Sequence, residues 1–199
     1  YRCCFSSTKK EPKEGERMSS PRIPPLDVSS LNDEAQNVLE PILEAGRPWN
    51  IFLTLAQHPD LARRWLVFSN HVLFKSTIPA REREIAILRT GWLCQSEYEW
   101  AQHELIGAEA GLTQEEIERI KEGPDAKWGT LDALIINAAD ELFKEKKISD
   151  TTWKGLKSYW DDQQMMDLVF AVGQYTLVSM ALRTFEVPLD DFLTGWDEA

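Results

Sequence analysis

Residues 79–104, PAREREIAILRTGWLCQSEYEWAQHE, decide the fold class of this chain. Pro79 opens a segment of helical period, and Gln95 and Ser96 interrupt it before a second helical segment begins at Glu97. Apolar residues extend round most of the first segment, so we expect this helix to be central and buried. The stretch therefore predicts two consecutive helices.

The rest of the chain follows the same helical period. We predict further helices over 33–45, from Pro59 onwards, over 113–121, from Trp128 or Leu131 to Lys144, after Ser149 and over 162–185, with a short apolar segment over 49–56. No segment shows strand alternation bounded by hairpin turns. The sequence therefore predicts an all-α, compact multi-helix domain with an N-terminal arm. We expect residues 22–199 to form this single domain and residues 1–21 to be a disordered tail.

Composition narrows the classes of partner. The 199 residues carry a net charge of -11, and an acidic surface disfavours binding to nucleic acid or to anionic membranes. No apolar run approaches the ~20 residues needed to cross a bilayer. The three cysteines, Cys3, Cys4 and Cys94, form no Cys-x-x-Cys or zinc-finger spacing. We therefore expect no metal, no cofactor and a cytoplasmic location.

Three side chains in the deciding stretch are suited to proton transfer. Glu99 and His103 are four residues apart on one helix and face the same way. Glu84 falls on an apolar face of the preceding helix, where an unpaired carboxylate is costly, so it should find a partner. A carboxylate beside an imidazole orients the ring and favours its charged form, which allows proton transfer near neutral pH.

The same residues also have a structural interpretation. A glutamate four residues before a basic side chain is common on solvated helix faces and contributes little to stability. Glu84 could belong to a buried ion pair with Arg83, Arg89 or Arg183. Both interpretations remain open at this level.

Residues 79–120 resemble the carboxymuconolactone decarboxylase-like family, within the alkyl hydroperoxidase D-like superfamily. The similar pattern is a Pro-x-Arg-Glu-x-Glu helix start, then Glu-Tyr-Glu-Trp-x-x-His, then Ala-Gly-Leu-Thr-x-Glu-Glu-Ile. The resemblance implies an all-helical fold and symmetric homo-oligomers, often trimers or hexamers. It also implies a site near the helix hairpin, between subunits.

The chain departs from the thiol-dependent peroxidases of this superfamily. Their hairpin carries Cys-x-x-Cys-x-x-x-His, with a glutamate on the preceding helix. Counted back from His103, the two cysteine positions fall on Ser96 and Glu99, and the glutamate position falls on Glu84. Because such a peroxidase needs a thiolate and a resolving thiol, we expect no thiol peroxidase activity.

The resemblance leaves a cofactor-independent lyase or isomerase as the leading hypothesis. In it, His103 donates or relays a proton to a small carboxylated or lactone-type molecule, and Glu84 and Glu99 set its charge and orientation. Tyr98, Trp100 and Ser96 are the candidate substrate-binding residues. The alternatives are a peroxidase-type oxidoreductase, which the missing Cys-x-x-Cys disfavours, and a non-catalytic oligomeric binding protein.

Overall fold

The computed structural model describes residues 20–196, and within them every regular element is helical. A short 3-10 helix, Val28–Ser30, precedes nine α-helices. These are α1 (Asp33–Glu44), α2 (Asn50–Leu55), α3 (Pro59–Phe74), α4 (Ala80–Leu93), α5 (Glu97–Glu109), α6 (Gln114–Ile120), α7 (Thr130–Glu145), α8 (Asp150–Lys157) and α9 (Asp162–Phe185). The predicted all-α fold is confirmed. The predicted tail lies outside the described residues except for 20 and 21.

Side-chain caps fix where several helices begin. The side chain of Asn32 accepts from the backbone N–H of Ala35 at the start of α1. Thr113 and Glu116 form a reciprocal capping box at the start of α6. Each cap satisfies a backbone donor that has no partner inside the helix.

Helix α4 lies at the centre of the fold. It packs against α5, α7 and α9, and all eight residues from Glu84 to Gly91 are buried. The side chains of Ile85, Ile87 and Leu88 are completely inaccessible to solvent. A helix surrounded in this way must place any polar side chain against another element, and this is the setting of Glu84.

The N-terminal helices and the segment after α9 close one end of the domain. Ile51 of α2 packs with Tyr98 of α5 and with Val178 and Leu182 of α9. Asp190, beyond α9, accepts hydrogen bonds from the backbone N–H of Asn50 and from the side chains of Tyr98 and Gln102. These contacts hold α2 against the helix that carries Glu99 and His103.

Helix α9 is long and apolar enough to span a membrane by length and composition. Half of its apolar window is buried inside the domain, however, and its inward face contributes Leu168 and Val172 to the main core. Core helices of soluble proteins meet the same criteria.

Candidate active site

Two buried carboxylates hold the imidazole of His103 from opposite sides. Nδ1 of His103 lies 2.6 Å from Oε2 of Glu84, and Nε2 lies 3.1 Å from Oε1 of Glu99. The exposed fractions of the three residues are 4% for His103, 0% for Glu84 and 4% for Glu99. Glu99 and His103 are therefore not a solvated surface pair. Glu84, on α4, joins them to form a buried cluster of three side chains.

Arg83 and Tyr175 complete the immediate surroundings. Nε and Nη2 of Arg83 both donate to Oε1 of Glu84 at 3.2 Å. The ring of Tyr175 on α9 packs edge-on against the imidazole, with centroids 4.7 Å apart. With His103 protonated, the two carboxylates face two cations, so the buried cluster is neutral overall, which limits the cost of burying charges.

The environment raises the pKa of His103 to about 9. Burial by itself lowers this pKa, but the negative charges and hydrogen bonds of Glu84 and Glu99 outweigh it. At neutral pH the ring is therefore an imidazolium that donates Nδ1–H to Glu84 and is ion-paired through Nε2 with Glu99. Because both N–H groups are engaged, His103 reaches a substrate through a carboxylate rather than directly.

Of the expected substrate-binding residues, Tyr98 is buried on α5 directly before Glu99. Its hydroxyl donates to Oδ2 of Asp190 at 2.5 Å and accepts from the backbone N–H of Ile51. Burial and the Asp190 carboxylate both raise the pKa of this phenol, so it stays neutral. The hydroxyl thus joins α2, α5 and the C-terminal segment.

The structure places Trp100 and Ser96 elsewhere. Trp100 is 1% exposed and packs in the main core against Trp92, with centroids 5.6 Å apart. Since successive helical residues point about 100° apart, the residue after Glu99 faces away from the cavity that Glu99 lines. Ser96 is the buried N-cap residue of α5, where its side chain forms no capping hydrogen bond.

A small cavity of about 70 Å³ adjoins the Glu99–His103 pair. Tyr98, Gln102 and Tyr175 form part of its wall, and the remainder is mainly apolar and aromatic. Neither Trp100 nor Ser96 lines this cavity among the described residues. Because Glu99 lines this cavity, a substrate group that enters the cavity would meet its side chain.

A larger pocket of about 490 Å³ lies beside this cavity. The two share six lining residues, which are Trp49, Phe52, Ser69, Leu73, Gln102 and Ile106. Two cations, Arg47 and Arg83, also line the larger pocket. Apolar walls with a few charged groups are typical of small-molecule sites of this size.

The other arginines considered from the sequence have structural partners. Arg89 donates from Nε and Nη2 to Asp140 and from Nη1 to the carbonyls of Ile120 and Lys121. Arg183 donates to the carbonyl of Cys94. Of the three candidate partners for Glu84, the structure therefore selects Arg83.

Sequence reasoning missed Tyr175, Gln102 and Asp190. Each is distant in the chain from the helix hairpin or lacks a chemical pattern of its own, so no local signal could have found them. Among residues 20–196, no three His, Cys, Asp or Glu side chains are arranged to hold a metal ion.

Comparisons with known proteins find one family model that matches the part of the chain that carries this site. Residues 59–122 match the model of the Carboxymuconolactone decarboxylase family, and these residues include Glu84, Glu99 and His103. No curated protein sequence matches the chain.

Solved structures share the fold over most of the chain. An uncharacterized peroxidase-related protein from Ralstonia eutropha JMP134, described as an alkylhydroperoxidase AhpD core, is 20% identical with a TM-score of 0.75, covering 86% of this chain and 93% of its own. A peroxidase-related protein from Silicibacter sp. TM1040 is 15% identical with a TM-score of 0.72, covering 92% and 96%.

A third similar structure is the apo form of the debrominase Bmp8. It is 11% identical with a TM-score of 0.70, covering 85% of this chain and 92% of its own. At these identities the similarity establishes the fold, whereas the match over residues 59–122 concerns the sequence itself. Residues 59–122 are therefore similar to the carboxymuconolactone decarboxylase family, and the fold of the chain is similar to that of these solved structures.

Proposed function

We propose that this protein is a cofactor-independent acid–base enzyme, a decarboxylase or isomerase-like lyase, that acts on a small carboxylated or lactone-type molecule. One observation carries the proposal: His103 is hydrogen-bonded to Glu84 and ion-paired with Glu99, and this buried series of contacts ends at the wall of a cavity. A proton can move along such a series without an additional cofactor.

Glu99 is the group that meets the substrate. Its Oε1 lies 3.1 Å from Nε2 of His103, and its side chain lines the cavity. His103 passes the Nε2 proton to Glu99, which then holds a carboxylic acid at the cavity. Glu84 remains a carboxylate and keeps the ring oriented through Nδ1.

The reaction follows from these positions. The carbon–carbon bond to the substrate carboxylate breaks, carbon dioxide leaves, and the electron pair enters the conjugated system of the substrate. The carboxylic acid of Glu99 then gives its proton to the resulting carbanionic carbon. The Glu99–His103 unit regains one proton from water, so the net change is one proton consumed and one carbon dioxide released.

Two arginines support an anionic substrate despite the negative net charge of the protein. Nη1 of Arg83 forms no hydrogen bond to residues 20–196 and belongs to a side chain that lines the larger pocket. Arg47 lies at the same pocket over the ring of Trp49, 5.6 Å from its centroid. Guanidinium groups are well suited to binding a carboxylate.

Other functions have less support. Activity as a thiol peroxidase would need two redox cysteines, and this chain has Ser96 and Glu99 at the corresponding positions. Burial raises the pKa of the remaining candidate thiol, that of Cys94. A non-catalytic binding protein of the same fold is the second candidate, and it predicts that His103 can be replaced without losing function. The expected cytoplasmic location and the expected absence of nucleic-acid and membrane partners remain predictions.

The test follows proton transfer in deuterated water by proton NMR with a panel of carboxylated lactones and β-keto acids. We expect carbon dioxide release or deuterium uptake with the wild type, and a loss of at least ~100-fold in Glu99→Gln and His103→Gln. Glu145→Gln is the matched control, because Glu145 is an exposed carboxylate at the end of α7. Circular dichroism of each variant checks its fold.

Full activity in both site variants would overturn the proposed mechanism. The second candidate, a non-catalytic binding protein, would be favoured by a different result. In that case the wild type turns over no member of the panel, and the wild type and His103→Gln bind one of these molecules equally well.

A further inference from the structure

The outward face of α9 is unusual because its exposed positions are entirely apolar between Gln164 and Leu182. From Gln164 to Leu182, the exposed positions are Met166, Val169, Phe170, Gly173, Leu177 and Met180. The large side chains among them are exposed by between 38% and 61%. They form a stripe that runs along four turns of the helix with no charged or polar side chain on it, and below it is called the α9 stripe.

The α9 stripe is nearly symmetric about Gly173. Met166 and Met180 lie seven residues on either side of it, and Val169 and Leu177 lie four residues on either side. A helix turned end over end about Gly173 therefore presents apolar side chains at the same heights for these two pairs, whereas the counterpart of Phe170 is the partly buried Thr176. This is the property that a two-fold interface requires, since each partner offers the same patch.

We propose that α9 pairs antiparallel with α9 of a second copy of this chain, about a two-fold axis that passes by Gly173. In this pairing, Met166 faces Met180 of the partner subunit, and Val169 faces the partner's Leu177. The inference concerns assembly and does not rest on the proposed function.

Gly173 has no role within one copy that would explain it. A Cβ added there would meet no atom within 4 Å, and the backbone is ordinary α-helix. Glycine in the middle of a helix costs about 1 kcal/mol relative to alanine. At the centre of the pairing this cost is offset, because the missing side chain lets two helix backbones approach closely.

Charges at the two ends of α9 agree with the antiparallel direction. Asp162 begins the helix, and Arg183 lies in its last turn. With a rise of 1.5 Å per residue, Asp162 is about 16 Å on one side of Gly173, and the partner's Arg183 falls about 15 Å on that same side. Opposite charges therefore come to the same height, whereas a parallel pairing would bring like charges together.

The flanking helices enlarge the apolar area. A stable interface buries about 800 Å² on each partner, which is more than one helical stripe supplies. Helices α3 and α8 pack beside α9; Val67 of α3 is exposed by 72% and Trp153 of α8 by 41%. Phe68 of α3 contacts Phe170 edge-on, with centroids 6.0 Å apart, so α3 continues the surface.

The first experiment measures the mass of the assembly by light scattering across a range of protein concentrations. We expect the wild type to be a dimer or a larger particle with an even number of chains. Gly173→Glu should halve its mass, because each copy brings a carboxylate to the two-fold axis, while open space at Gly173 lets the fold persist. Gly129→Glu is the matched control: it is the same change, also into open space at negative φ, at the start of α7.

The second experiment uses disulfide trapping in the full chain with Cys3, Cys4 and Cys94 replaced by serine. Gly173→Cys should form a covalent dimer on mild oxidation, because residue 173 meets its own copy at the axis. Leu177→Cys should crosslink at least tenfold less, because it faces position 169 of the partner.

Three results would overturn the pairing. One is a wild-type monomer at every concentration. Another is an unchanged mass in Gly173→Glu together with no crosslinking of Gly173→Cys. The third is a monomer that sediments with phosphatidylcholine vesicles and loses this binding in Gly173→Glu, which would make the α9 stripe a lipid-binding face.

Discussion

Oε2 of Glu84 lies 2.6 Å from Nδ1 of His103, although the two residues are 19 positions apart and lie on different helices. Glycine allows this approach, because Gly107 follows His103 by one turn on α5. A Cβ at Gly107 would lie only 3.2 Å from Cδ1 of Leu88 and 3.8 Å from Cβ of Glu84. The short contact between the catalytic candidates is therefore a consequence of close packing between α4 and α5.

The first prediction concerns the charge on His103. In wild-type protein with ¹⁵N-labelled histidine, its pKa measured by NMR should be near 9, well above that of an exposed imidazole. Glu84→Gln should lower this pKa by about 1–3 units, because it removes the largest favourable charge, and Glu99→Gln should lower it less. An unchanged His103 pKa in Glu84→Gln would contradict the assigned ion pair.

The second prediction is a pH dependence of stability. The folded-state pKa of His103 is raised from 6.5 to about 9, so folding favours the protonated ring. This stabilisation is fully present below pH 6.5 and is lost as the pH rises through 9. It corresponds to roughly 3 kcal/mol. Urea unfolding at a series of pH values measures it.

The control for this pH dependence is His103→Gln. Its free energy of unfolding should vary much less between pH 6.5 and 9, although the variant is less stable overall because two buried carboxylates lose a cation. The same slope in both proteins would assign the pH dependence to another group.

The third prediction tests the glycine that lets the helices approach. Gly107→Ala should destabilise the protein by about 1–3 kcal/mol, because its Cβ would come within 3.1 Å of Cδ1 of Leu112 and 3.2 Å of Cδ1 of Leu88. Separation of α4 and α5 should also lower the pKa of His103. Gly129→Ala is the control, since nothing lies within 4 Å of a Cβ at that position. If Gly107→Ala has wild-type stability and an unchanged His103 pKa, the prediction is wrong, because α4 and α5 then accommodate the added methyl group without cost.

The fold could be predicted because its signals are local. Asn32, Thr113 and Ser149 cap helices where the sequence indicated. Helical spacing alone predicts that the side chains of Glu99 and His103 lie on the same face of α5. The apolar neighbours of Glu84 likewise indicated that it is buried and needs a partner.

The rest of the site depends on contacts between distant segments. Tyr175 lies on α9, far beyond His103 in the chain, and no spacing rule links that helix to the imidazole. Trp100 was expected to wall the pocket, but its direction on α5 turns it into the main core. The hydroxyl of Tyr98 was expected to bind a substrate, yet Asp190 and the backbone of Ile51 already engage it.

The fourth prediction is that the protein does not reduce hydroperoxides at the expense of thiols. A carboxylate, that of Glu99, lies against Nε2 of His103, and the one cysteine among the described residues, Cys94, is not among the partners of the imidazole. Burial raises the pKa of Cys94 and keeps it protonated at neutral pH, which makes it a poor nucleophile. A thiol-coupled hydroperoxide assay should therefore give no rate above that of Cys94→Ser. Alkylation of Cys94 by iodoacetamide, followed by mass spectrometry, should be slower than that of a small free thiol and should accelerate as the pH rises. Peroxide turnover that disappears in Cys94→Ser would contradict this prediction and return the protein to the redox branch.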